Sequence, residues 1–180
     1  MSKTWTLDGS AGELLILTGV AGPAAKTGHR LTIAMRSWQA TVDWRGKEPA
    51  GATLSVAVDS LEVIKGEGGI TPLGGPEKGI ARSNALKSLD AKKFPEIRFT
   101  ATEITKTADG YRLTGTAEIH GKSRPQSVDL TVQDHGTDWM MSAQISITQS
   151  DFGVKPYSLL MGAVKVADPV TINFTASHPK

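Results

Sequence analysis

EIRFTATEITKTADGYRLTGTAEIHGKSRPQSVDLTVQ, residues 96–133, decides the fold. Apolar or small residues recur at every second position: Ile97, Phe99 and Ala101, then Tyr111, Leu113, Gly115, Ala117 and Ile119, then Val128, Leu130 and Val132. A period of two belongs to a strand, whose successive side chains point to opposite faces. Ala108-Asp109-Gly110 and His120 to Pro125 separate the runs with turn-forming residues. Connections this short join antiparallel neighbours, so the stretch predicts a meander.

The same alternation extends both ways. Downstream, beyond the turn at His135–Asp138, it aligns Trp139, Met141, Ala143, Ile145 and Ile147, then Val170, Ile172, Phe174 and Ala176. Upstream it aligns Leu54, Val56 and Val58, and before them Leu31, Ile33 and Met35. There the apolar parity slips to Trp38, Ala40, Val42 and Trp44. A one-residue slip turns a strand over, which predicts a bulge near Arg36-Ser37 in one long bent strand. Together the pattern predicts an all-β chain with a short helical insertion, its antiparallel strands closing into a barrel that leaves no edges exposed. A barrel of about eight strands either fills with side chains or holds one small ligand, and the small residues Ala101, Gly115, Ala117 and Ala143 fit both outcomes.

Residues 65–95 break the pattern. KGEGGITPLGGPEKG is a Gly- and Pro-rich loop, and Pro76 stands where a first helical turn can begin. Helix formers follow, with Ile80, Ala85, Leu86 and Leu89 at loosely helical spacing, so one or two short helices are predicted over about 76–92. Pro95 disfavours helical geometry at Phe94, which predicts the helix stop.

The length of 180 residues suits one domain, 1–180, with a sizeable core. With 21% charged residues and a net charge of +2, no basic stripe marks a nucleic-acid binder. There are no cysteines, so disulfides, thiolate metal sites and Cys nucleophiles are excluded. The first twenty residues lack a signal-peptide pattern, the apolar run Leu14–Leu17 being too short, and no run approaches a membrane span. The expectation is a cytoplasmic protein without stable membrane insertion. The four histidines have no metal-ligand spacing, so neither metal nor cofactor is expected. His120, two residues after Glu118, reads as a turn histidine. Asp151-Phe152-Gly153 has none of the companion motifs of a kinase. Asp59 and Glu62 read as an exposed strand end rather than a catalytic carboxylate pair.

Several stretches, in order along nearly the whole chain, resemble the YceI-like family of polyisoprenoid-binding-like proteins. They are Trp5-Thr6-Leu7-Asp8, the run Leu89 to Phe99 around Phe94-Pro95, Tyr111-x-Leu113-x-Gly115 with Glu118 to Pro125, and Ser150-Asp151-Phe152-Gly153-Val154. The chain departs from that pattern at Ser88-Leu89, where the family often has two phenylalanines, at Gln149, where it usually has arginine, and over residues 19–30. The resemblance implies a lipocalin-like barrel around an elongated apolar pore. It implies binding, carriage or storage of a chain-like lipid such as a polyisoprenoid, quinone or similar amphiphile, with relatives often forming homodimers. Met35, Trp38, Val56, Phe99, Leu113, Met141 and Ile145 are then the candidate pore lining. Phe152, Tyr157 and Leu160, in an unusually apolar loop, are candidates at its mouth. For any one of the seven lining residues ordinary core packing is the commoner role, because a barrel needs a core in any case. Two alternatives stay open: an enzyme acting on an amphiphile in the same barrel, with His120 or Asp151 at its polar end, and a dimeric stress-response module with a filled core.

Overall fold

Alternating side chains give a sheet one apolar face, and burying that face against itself makes the sheet curl. The computed structural model describes residues 2–180. In chain order the strands are β1 (Ser2–Asp8), β2 (Gly12–Leu17), β3 (Val20–Ala21), β4 (His29–Met35), β5 (Trp38–Arg45), β6 (Glu48–Ala57) and β7 (Leu61–Gly68). After the helix α1 (Gly75–Ser88) follow β8 (Glu96–Lys106), β9 (Gly110–Ile119), β10 (Lys122–Asp134), β11 (Asp138–Thr148), β12 (Ser158–Leu159), β13 (Val164–Val166) and β14 (Pro169–Pro179). Eleven of them form one curled antiparallel sheet in the order β1-β5-β6-β8-β9-β10-β11-β14-β2-β4-β7, and β12-β13-β3 form a small second sheet. The predicted meander is the run β8-β9-β10-β11.

The sheet has more strands than the eight the alternation suggests, and the difference has a cause. The slip at Arg36-Ser37 is no bulge within one strand. The chain turns a corner there, leaving β4 near one margin of the sheet and becoming β5 near the other. Two more connections make the same crossing, β1 to β2 and β6 to β7. The corners are stitched together: Ala57 N donates to Ser37 O at 3.0 Å and Arg36 N to Ser60 O at 3.3 Å. Gly9 belongs to the same knot, since a Cβ there would stand 2.6 Å from Arg36 O. Glu62 pairs with Arg36 at 2.6 Å beside it, a surface ion pair and no catalytic dyad.

The hydrogen-bonded sheet does not close as expected: it is a curled half-barrel with β1 and β7 as edge strands, and side chains bridge part of the gap. Trp5 on β1 stacks on His178 of β14 with ring centroids 3.9 Å apart. Those strands bound the eight-strand run β1-β5-β6-β8-β9-β10-β11-β14, which thereby comes round on itself. The interior holds two clusters. One gathers Leu7, Leu14, Ile33, Met35, Trp38, Val56, Leu61 and Met141, and the other gathers Ala117, Ile147, Phe152 and Val154.

α1 packs along β7 and presents Ala81, Ala85, Leu86 and Leu89 to the core, leaving Ile80 exposed. Arg82 fastens it, donating to Leu61 O at 2.7 Å and Asp59 O at 2.6 Å. The helix ends earlier than Pro95 requires. Asp90 adopts a left-handed φ of 49°, and Asp90 N and Ala91 N return to Lys87 O and Leu86 O, the pattern of a Schellman stop. Pro95 serves the following junction, its carbonyl accepting from Val58 N at 2.9 Å.

Candidate ligand-binding cavity

The curled sheet is not filled. A cavity of about 680 Å³ runs between its inner face, α1 and the segment 152–166. Its wall is overwhelmingly apolar, and among the described residues no polar or charged side chain is fully buried. A guest there meets hydrocarbon on nearly every side.

Of the ten candidates, nine line this cavity: Met35, Val56, Phe99, Leu113, Met141, Ile145, Phe152, Tyr157 and Leu160. Trp38 does not. Its ring packs edge-on against Phe174, centroids 5.3 Å apart, deep in the core cluster. Alternation identifies the inward face but not the depth along the strand, and Trp38 begins β5 just after the corner. The small residues divide likewise. Ala117 and Ala143 reach the cavity, whereas Ala101 and Gly115 do not. Gly115 serves the backbone: a Cβ there would fall 1.8 Å from Thr100 O. Sequence reasoning missed Leu14 and Ile16 of β2 and the Ala81–Ala85 face of α1, all on the wall. The run Leu14–Leu17 was the available signal, since a strand covered on both faces need not alternate.

The loop 152–161 does two jobs. Phe152 and Val154 are buried in the second cluster, whereas Leu159, Leu160 and Met161 are exposed. Leu160 and Met161 both hold left-handed backbone, φ 52° and 57°, which costs of order 1 kcal/mol per non-glycine residue. The loop is thus held in an unfavourable conformation with its apolar side chains in water.

Three separated motifs meet behind Phe152, which lines this wall while Phe94 and His120 do not. Phe94 lies edge-on to the His120 ring at 4.9 Å. His120 Nδ1 faces Phe152 O at 3.3 Å, and Arg124 Nε donates to Asp151 O at 2.8 Å. His120 and Gly121 both have positive φ, 56° and 72°, and close the β9–β10 hairpin as a two-residue primed turn. On the other side of the 150–153 turn, Ser150 donates from N at 2.8 Å and from Oγ to the Asp168 carboxylate. Those two bonds hold the Asp168 carboxyl below its ordinary 3.8. Gln149 Nε2 donates to Ala167 O at 3.0 Å. Every contact here braces the turn that seats Phe152 and Val154. The partners of His120 and Arg124 in it are backbone carbonyls. Among the described residues no three His, Asp or Glu side chains converge as metal ligands.

Residues 5–178 match the sequence profile of the YceI-like domain.

The chain belongs to the YceI-like family. A UPF0312 protein of Yersinia enterocolitica is 34% identical over 50 residues, 28% of this chain and about a quarter (26%) of that protein's length. BcnA of Burkholderia cenocepacia superposes with a TM-score of 0.70 at 20% identity, over 93% of this chain and 96% of its own. The YceI protein of Campylobacter jejuni gives 0.59 at 17% identity, over 82% and 84%. At such identities these two structures share the fold. The motifs carrying the YceI-like resemblance, around Phe94, His120 and Asp151, come together at the turn that seats Phe152 in this chain. No helix of the described residues is long and apolar enough to cross a membrane.

Proposed function

We propose that this protein binds and carries the apolar chain of an isoprenoid, quinone or comparable amphiphile inside its barrel. The observation that carries the reading is the cavity of about 680 Å³ with an apolar wall. At the ~30 Å³ that a water-sized group occupies in a liquid, that is room for roughly twenty heavy atoms. Enclosing about twenty methylene-sized groups at ~0.8 kcal/mol each yields roughly 16 kcal/mol gross, against about 4–15 kcal/mol lost on association. The balance is useful affinity with few polar contacts. Membership of a family known for polyisoprenoid binding supports the same reading. Met35 and Met141 on the wall suit a guest of irregular shape. Neither His120 nor Asp151 lines the cavity, and the His120 ring is engaged by Phe94 and the Phe152 carbonyl, which favours binding over chemistry on the guest.

Two measurements test it. Solvent extracts of purified protein, analysed by mass spectrometry, are expected to contain an apolar chain-like lipid. A fluorescent isoprenoid probe is expected to bind one per cavity and to be displaced by unlabelled isoprenoid alcohols. Clean extracts together with no probe binding would refute the proposal.

A further inference from the structure

The mouth of the cavity is bordered by large apolar side chains that the fold leaves in water. Ile80, Leu159 and Leu160 line the cavity and are 61%, 53% and 72% exposed, and Met161 beside them is fully exposed. Three connections surround this mouth: 18–28, 69–81 and 153–166. They touch one another. Lys165 pairs with Ala21 in the small sheet, the Gly28 backbone abuts Val20 and Val164, and the His29 ring contacts Thr71 O at 2.6 Å. Their charged residues are Lys26, Lys78, Lys155 and Lys165 against Glu77 alone, a net of +3. The whole chain carries +2, so the remainder carries −1. The connections that carry the exposed hydrocarbon are thus net basic, and the rest of the chain is not.

We infer that this rim docks on the surface of an anionic lipid bilayer, so that the mouth opens against the membrane in which an apolar guest would reside. The proposal rests on the lipid-carrier reading of the cavity. Its chemistry is that of interfacial binding: a few apolar side chains enter the headgroup boundary while lysines meet acidic phosphates. The left-handed backbone at Leu160 and Met161 fits this use, because it holds the loop that offers both side chains to the solvent. A water-soluble partner would gain from the hydrocarbon without needing the charge, whereas an anionic membrane uses both.

Flotation with phosphatidylcholine vesicles, with and without phosphatidylglycerol, tests the docking. The intact protein is expected to float only with the anionic vesicles, and to release at about 1 M salt, where the Debye length falls to ~3 Å. Met161→Asp and Lys155→Glu, neither on the cavity wall, are each expected to weaken flotation about tenfold. Both are expected to keep the circular dichroism spectrum and the affinity for a soluble isoprenoid probe measured without vesicles. Absence of flotation, or variants that float as well as the parent, overturns the docking. Sedimentation in which Met161→Asp splits a dimer of the intact protein, with no vesicle binding, overturns it in favour of a second copy of this chain. Probe binding without flotation defeats the docking alone. Flotation without probe binding supports the docking and defeats the carrier reading.

Discussion

Trp5 and His178 lie face to face, 3.9 Å apart and within 7° of parallel, although β1 and β14 stand at opposite ends of an eight-strand run of the sheet. Trp5 also packs against Trp44 at 4.7 Å. No ladder joins β1 to β14, so these rings do what hydrogen bonds do elsewhere in the barrel. Trp5→Ala is expected to cost about 2–4 kcal/mol, because it removes a half-buried indole and its stacking partner's contact together. Urea unfolding measures this. His178→Ala, which loses the stack but leaves Trp5 on Trp44, is expected to cost only about 1 kcal/mol.

The cavity is filled most directly from Ala143, which lines it opposite Phe174 in the β11–β14 pairing. Ala143→Phe is expected to weaken binding of a long isoprenoid probe about tenfold or more while leaving the melting temperature level or higher, since the new ring occupies empty space rather than packed core. A loss of folding with no selective loss of binding would mean that the space beside Ala143 is not available to a guest.

Acid should loosen the Ser150–Asp168 brace. The folded-state pKa of Asp168 is depressed, so its contribution is present above the ordinary 3.8 and is lost as pH falls through the depressed value. The parent is therefore expected to out-melt Asp168→Asn at pH 6 and to lose that margin on descending below about pH 4. Thermal melts across this range decide it. A margin unchanged at low pH would contradict the assignment.

Arg82 ties α1 to the turn before β7 through two carbonyls. Arg82→Ala is expected to destabilise by about 1–2 kcal/mol and to raise amide exchange in 75–88 more than in the meander. Because α1 is one wall of the cavity, a bound probe should also leave faster.

Pro95→Ala is expected to leave helical content unchanged, because the Asp90 stop precedes it. Circular dichroism checks this, and a lengthened helix would restore the role that the sequence suggests for the proline.

What alternation reveals, and what it hides, is clearest at two places. In 96–148 each strand has one face inward and its partner next in sequence, so period and order are both legible. At 29–45 the period survives and the order does not. Nothing in Met35-Arg36-Ser37-Trp38 says that the neighbours on either side of the corner are different strands, because that depends on closure of the whole sheet. β2 hides for another reason: Leu14-Leu15-Ile16-Leu17 is apolar throughout, and a run of four carries no period. β7 begins with alternating Leu61 and Val63 but runs into glycines, and its pairing with β4 is broken by a register shift near Ile33. The cavity wall was legible residue by residue where strands point inward. Its emptiness was not, since the same small residues serve space at Ala143 and backbone contact at Gly115.

The stitched corners and the Trp5–His178 stack bear on how the molecule is made. During synthesis Trp5 of β1 emerges long before His178 of β14, on which its ring stacks. Closure of the ring must await synthesis of β14, so folding of the barrel is dominated by distant pairings, the slow class of topology. Until then β2 lacks its neighbour β14, and the apolar side chains Leu14 and Ile16 stand without that cover.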